Sequence, residues 1–371
     1  MREEDIERIL QDYYRRDMHY ESGRILGSMY TSPPQIVVES FFKFYQANLG
    51  NPGLYPGTRE MERKVVDFLL RLTSGQPSFY GHIVSGGTEA NIIALWAARN
   101  MGYKRVLATE DAHFSIRKSV NLLNIPLKIV DMKDGRMDIG HLESIIGDGD
   151  IVVATAGTTP LGFIDPIEEI SRVCEEYDCY LHVDAAFGGY VIPFLRELGY
   201  TNKRFGFDLS SVKSITIDPH KMGMAPYPAG GIVAREDIFR WIESSAPYLV
   251  EEKNDTLLGT RQSGSVAAAY AAILYFEWKG YKEVVKECMK NTEYLLGRAE
   301  EEGIEIFVQP EMNMVNLVVE DVYAVKRELR KLGWGISTNP KYGTIRIVVM
   351  PHVKEEVIDK FLQDLKNIEK I

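Results

Sequence analysis

The sequence predicts an α/β fold, with a large domain around a mainly parallel, seven-stranded sheet and a smaller C-terminal α+β domain. Two observations carry that expectation. Short apolar runs alternate with helical patterns through the middle of the chain, the rhythm of βαβ units. Runs such as Ile151-Val152-Val153-Ala154 are apolar throughout rather than alternating, as strands covered on both faces should be.

The elements follow in order. Ile6, Ile9, Leu10, Tyr13 and Tyr14 recur at helical spacing and predict an amphipathic opening helix. A second helix follows Pro33-Pro34, with Ile36, Val37, Phe41, Phe42 and Tyr45 on its apolar face. Asn51-Pro52-Gly53 and Pro56-Gly57 then break the chain into a loop. From Thr58 onward, Met61, Val65, Val66, Leu69 and Leu70 mark a third helix.

Strands are expected at 82–84, 105–108, 127–130, 151–154, 180–183, 214–217 and 231–233, with helices at 89–99, 115–123, 139–146 and 166–177. Beyond Gln262 the pattern becomes a long helical region, 265–302, with a break at Gly280. Strands near 315–319 and 344–349 follow, with helices at 323–332 and 354–368. This divides the chain into an N-terminal helical segment, 1–50, a large domain, 51–275, and a small domain, 276–371.

The bulk numbers exclude several functions. The 371 residues allow two domains with a substantial core. A net charge of −10 leaves no electrostatic footprint for nucleic acid or an anionic membrane. Cys174, Cys179 and Cys288 form no metal-ligand spacing, and their sparse, odd count suits a reducing compartment. The N-terminus is charged from its second residue and lacks an apolar signal core. The longest apolar stretch, about 267–276, is too short for a bilayer. The expectation is a cytoplasmic protein with no metal, nucleic-acid or membrane partner.

Five short segments carry chemistry. Ser85-Gly86-Gly87-Thr88-Glu89-Ala90-Asn91 follows a strand and opens a helix. Its glycines let backbone N–H groups approach an anion, and the helix N-terminus adds a positive dipole. A plain Gly-Gly turn with Thr88 as N-cap fits equally well. His113 lies past the next strand, either against a ligand or as a capping or core histidine. Thr159 follows another strand end. Asp184, in His182-Val183-Asp184-Ala185-Ala186, is costly to bury unpaired, so it caps a helix or faces a cation. The small Ala186 leaves room for a flat ring. Lys221 ends Asp218-Pro219-His220-Lys221 and precedes Met222-Gly223-Met224, an apolar setting that favours a nucleophilic amine.

A lysine and an aspartate at strand ends are what pyridoxal phosphate requires: one ties the cofactor down as a Schiff base, the other keeps its pyridine nitrogen protonated. The segments "SGGTEAN", "HVDAAFGG" and "DPHKMG" resemble the group II pyridoxal-phosphate decarboxylases of fold type I. More narrowly, "NLGNPGLYPGT", "YGHIVSGGTEAN", "GTRQSG" and "RIVVMPH" resemble their archaeal L-tyrosine/L-aspartate decarboxylase subgroup. The resemblance runs from about Ile25 to near the C-terminus.

It implies a homodimer with active sites at the subunit interface, the N-terminal segment packing on the partner, and decarboxylation of aspartate or tyrosine. It assigns Lys221 to the Schiff base and Asp184 to the pyridine nitrogen. His113 stacks on one face of the ring, with Ala186 against the other. Gly87, Thr88 and His220 hold the phosphate, Thr159 bonds near the 3′ oxygen, and Gly259 and Thr260 reach the neighbouring subunit's phosphate. Arg346 is the candidate for a substrate carboxylate, since a guanidinium fork matches it bidentately. Tyr55 and Arg59 are further substrate candidates. Animal relatives reprotonate the α-carbon with a loop tyrosine. The matching stretch here, 249–259, has none, which leaves Tyr248, His113 and Lys221 as candidates. Alternatives are glutamate decarboxylation and an aldehyde lyase of the sphingosine-phosphate lyase type, which "NPGLYPG" and "SGGTE" also resemble.

Overall fold

The structure, a computed structural model, describes residues 1–369. Its contacts divide the chain into two units. The larger comprises 33–286 with 310–312, and the smaller comprises 1–32, 287–309 and the chain from 313 onward.

The larger unit is built on β1 (Tyr80–Val84), β2 (Arg105–Thr109), β3 (Leu127–Val130), β4 (Asp150–Thr155), β5 (Tyr180–Asp184), β6 (Val212–Ile217) and β7 (Gly230–Ala234). Among the described residues these seven form one sheet in the order β1-β7-β6-β5-β4-β2-β3. β7 runs antiparallel to both neighbours, and the other pairings are parallel. Each expected strand is present with ends within two residues of those read from the sequence. The reason is burial: β4, β5 and β7 are covered along their whole length, so their apolar runs have no polar face to interrupt them.

Helices α1 (Glu3–Tyr14), α2 (Gln35–Lys43) and α3 (Pro56–Leu72) precede the sheet. Within it come α4 (Gly87–Asn100), α5 (Phe114–Leu123), α6 (Ile139–Ile145), α7 (Ile167–Glu176) and the short α8 (Ile192–Leu198), which the sequence reading missed. On one face, Ala90, Ile93, Ala94 and Ala97 of α4 join Ile116 and Val120 of α5 over Val106, Ile151 and Ile232. The long α9 (Ser263–Glu301) breaks at Glu277, where φ is +50°, not at Gly280 as expected. Gly280 is accommodated inside the resumed helix. Its missing side chain leaves room for Phe276, which a Cβ there would meet at 3.2 Å.

The smaller unit holds β8 (Met314–Val318), β9 (Ser337–Asn339) and β10 (Thr344–Val348), antiparallel in the order β8-β10-β9. Helices α10 (Val322–Lys331) and α11 (Glu355–Glu369) supply Val325, Leu329, Phe361 and Leu362 to a core shared with Leu317 and Trp334. In α1 no residue is buried, and Ile6, Leu10 and Tyr13 stand exposed. No helix among the described residues is long and apolar enough to cross a membrane.

One close approach positions everything that follows. β7 begins at Gly230, where a Cβ would stand 2.3 Å from Gly86 Cα. Glycine here brings the Gly86-Gly87 turn down onto the sheet edge. Gly230→Ala should therefore lower stability by about 1–3 kcal/mol through overpacking. Urea unfolding measures it, and an unchanged midpoint would contradict the contact.

Candidate active site

β1, β2, β4, β5 and β6 all end at the same edge of the sheet, where open α/β folds bind ligands. β1 runs into the glycine turn and α4, and β2 leads to His113. β4 leads to Thr159, which is half-buried, β5 ends on Asp184, and β6 leads into 218–221.

Lys221 sits in a tightly wound turn. Its N–H donates to Asp218 O (3.0 Å), and its carbonyl accepts from Met224 N–H (3.2 Å). Gly223 permits the winding, since a Cβ there would come within 2.6 Å of Pro219 O. Met222, Met224 and Ala225, which follow it, are buried, but the amine is not in the purely apolar setting expected. The amine also has a companion the sequence did not announce: Nζ lies 3.1 Å from Asp218 Oδ2. Asp218 is buried, and its Oδ1 has no hydrogen-bond partner.

Asp184 is 5% exposed. It caps no helix. Its Oδ1 accepts from Ala186 N–H (3.1 Å) and its Oδ2 from the Asn91 amide (2.9 Å). Behind this carboxylate, Asn91 Oδ1 accepts from the Thr216 hydroxyl (2.8 Å) and lies 3.0 Å from His182 Nε2. His182 is fully buried, and burial pushes its pKa down to about 4, so it is neutral.

His113 takes the capping role. It is the N-cap of α5, its Nδ1 accepting from Ser115 N–H (3.3 Å) and lying 2.8 Å from Ser115 Oγ. Burial lowers its pKa, opposed by the nearby Asp184 and reinforced by Lys221. The ring therefore shares its surroundings with the two residues singled out beside it.

The glycine turn departs from the simpler alternative, because Gly86 is the N-cap and Thr88 is the second helical residue. Gly87 leaves a cradle that a side chain would fill. A Cβ there would lie 3.0 Å from Asp218 Oδ2 and 3.4 Å from the Ala186 Cβ. His220 borders the same turn, since a Cβ on Gly86 would meet its Cε1 at 3.5 Å. Its Nδ1–H donates to Ala229 O (2.7 Å), and burial lowers its pKa. Gly87, Ala186, His220 and Lys221 are thus brought together around Asp218.

Gly259 and Thr260 lie elsewhere, exposed on a segment held by a buried charge cluster. Arg261 pairs with Glu62 and donates to Ile83 O (2.9 Å) and Leu49 O (3.1 Å). His82 lies 3.8 Å from Glu62 and 3.4 Å from Asp255. Burial works against both ionised forms, yet Arg261 and His82 hold the Glu62 carboxyl well below its usual range. The carboxylates of Asp255 and Glu62 likewise raise His82. Tyr55 belongs to this layer: its loop is tied by Asn51 Oδ1, which accepts from Val250 N–H (3.1 Å), and by an Arg59–Glu251 ion pair. Arg346 lies in the smaller unit, donating to Gly27 O (2.9 Å) and Ser337 Oγ (3.2 Å), with burial lowering its pKa to about 10.

A model of the pyridoxal-dependent decarboxylase conserved domain matches residues 46–320. The chain belongs to the pyridoxal-dependent decarboxylase family. It is 44% identical to an L-aspartate decarboxylase of Thermococcus kodakarensis, over 99% of this chain and 97% of the relative. It is 42% identical to a probable L-tyrosine/L-aspartate decarboxylase of Methanothermobacter thermautotrophicus, over 95% of this chain and 99% of the relative. In structure it is similar to a sphingosine-1-phosphate lyase of Burkholderia pseudomallei, with a TM-score of 0.89 and 24% identity. That match covers 100% of this chain and 91% of the other, a likeness of fold.

The sequence reading missed Asn91, Ser115, His182, Thr216 and Asp218, although Asn91, His182 and Asp218 stand inside motifs it had singled out. It also missed the Glu62–Arg261 pair. Glu62→Gln should cost about 3–5 kcal/mol, because it strands a buried guanidinium. Denaturant unfolding checks this, and a negligible loss would contradict it. His82, raised by its carboxylates, stabilises the fold fully below its ordinary value of 6.5. That increment is lost as pH rises through the higher folded value. His82→Phe should remove this part of the pH dependence.

Proposed function

We propose that this protein is an L-aspartate decarboxylase, releasing β-alanine, with L-tyrosine as a second substrate, pyridoxal 5′-phosphate as cofactor and a homodimer as working form. The observation that carries this reading is the convergence of Lys221, Asp184 and His113 on one sheet edge beside the Gly87 cradle. Aspartate comes first because both relatives quoted above carry it in their names.

The residues present fit the cofactor. Gly87 keeps open a cradle at the N-terminus of α4 bordered by the His220 imidazole, with the Lys221 amine 3.1 Å from Asp218 beside it. Pyridoxal phosphate supplies an aldehyde that captures amines and a ring that withdraws electrons from the α-carbon. In this reading Lys221 Nζ would hold the aldehyde carbon. Asp184 would hold the proton on the pyridine nitrogen. Gly87, Thr88 and His220 would receive the phosphate. His113 and Ala186 would contact the ring, and Thr159 would bond to its 3′ oxygen. Gly259 and Thr260, exposed on their own protomer, extend to the neighbouring subunit's phosphate. The exposed Ile36, Phe42 and Tyr45 of the second helical stretch supply apolar surface for a partner.

Arg346 and Tyr55 remain assigned to the substrate on the chemistry of their side chains. The buried, weakly hydrated guanidinium of Arg346 suits a carboxylate. The proton returned to the α-carbon comes from His113 or Lys221. Tyr248, at the edge of the loop, is 86% exposed on the single chain.

Purified protein supplied with the cofactor should convert L-aspartate to β-alanine and carbon dioxide, with L-tyrosine slower and L-glutamate slower still. Amine detection by chromatography reads the outcome. An aldehyde product, or no amine from any of the three, would overturn the reading. Lys221→Ala should reduce turnover to background while the protein still folds, which circular dichroism verifies.

A further inference from the structure

We infer that Asn91 is a positioning residue whose single amide fixes both the Asp184 carboxylate and the protonation pattern of the His113 ring. The inference rests on the roles proposed above for those two residues. Asn91 lies in the first turns of α4, is fully buried, and is surrounded by polar groups of β5, β6 and α5.

The donor and acceptor arithmetic leaves one arrangement. A carboxylate oxygen only accepts, so the group that Asn91 turns toward Asp184 Oδ2, 2.9 Å away, is its NH2. Its second N–H then donates to Ser115 Oγ at 2.9 Å. The amide oxygen consequently faces the Thr216 hydroxyl (2.8 Å) and His182 Nε2 (3.0 Å), so His182 must carry its proton on Nε2. The same Nε2 is 3.3 Å from Thr216 Oγ1. His182 Nδ1 is thereby an acceptor, filled by the Ser214 hydroxyl at 2.8 Å. Ser214 Oγ in turn accepts from Tyr180 OH at 2.8 Å, a phenol that burial keeps protonated.

The result is a one-way chain: Tyr180 to Ser214 to His182 to Asn91 to Asp184. Every link donates toward the carboxylate, an order in which each bond polarises the next. The other branch has the same sense. Ser115 N–H donates to His113 Nδ1 at 3.3 Å, which makes that nitrogen an acceptor, so the Ser115 hydroxyl, whose oxygen accepts from Asn91, turns its hydrogen toward Nδ1 at 2.8 Å. His113 therefore presents Nε2–H. Both hydrogens and both acceptor sites of one amide are used, and Asn91 touches Asp184 directly and His113 through the Ser115 hydroxyl.

The test is histidine-selective 15N NMR on the full chain, with and without pyridoxal phosphate. Wild-type protein near neutral pH should show His182 and His113 neutral with the proton on Nε2. A proton on Nδ1 of either ring would overturn the inference. Asn91→Ala should change the ring signals of both histidines and Ser115→Ala those of His113 alone, whereas a merely structural role would lower the melting temperature without this pattern. Asn91→Ala should also weaken cofactor binding or kcat at least about tenfold, the scale on which groups that orient a site's ligands act, with KM moving less. Should Asn91→Ala fail to fold, the wild-type proton positions and the Ser115→Ala pattern still decide. A wild-type protein that decarboxylates no amino acid yet shows Nε2–H on both rings would refute the functional reading alone.

Discussion

A carboxylate buried at the end of a central strand is the constraint to which the larger unit answers. Taking Asp184 out of water costs several kcal/mol unless donors replace the lost hydration. The chain replaces them with the Ala186 N–H and the Asn91 amide. Neither is a cation, so the negative charge is held rather than cancelled. Under the proposed function, a positively charged ring would complete that pairing.

The lysine turn obeys the complementary rule. Lys221 has a carboxylate of its own, Asp218, packed against the glycine turn that Gly230 allows onto the sheet edge. Sheet order does the rest. β5 and β6 are parallel neighbours, so Asp184 and the Asp218–Lys221 turn leave the sheet side by side, although far apart in the chain. The buried Glu62–Arg261 pair, with His82 and Asp255, acts at longer range by holding the segment on which Gly259 and Thr260 are exposed.

Much of this was legible in the sequence because strand burial is written locally. Apolar runs named all seven strands of the main sheet, and polar residues at their ends named Asp184, His113 and Lys221. What stayed hidden is long-range pairing. Asn91 and Asp184 are 93 positions apart, and nothing in "SGGTEAN" says that its last residue reaches β5. Arg261 and Glu62, 199 positions apart, carry no local sign in the sequence that the fold buries them together. The break in α9 was misplaced because glycine is the usual breaker, whereas here Glu277 takes the left-handed turn. Tyr55 and Arg346 were chosen for chemistry alone. The first travels with the Gly259 loop and the second lies in the smaller unit.

The central claim is that one amine, held by this turn and faced by this aspartate, carries the cofactor. Adding pyridoxal phosphate to the purified protein, reducing with borohydride and mapping the labelled peptide by mass spectrometry tests it directly. The account predicts a yellow protein with the pyridoxyl group on Lys221. A colourless protein, or a label on any other lysine, would contradict it.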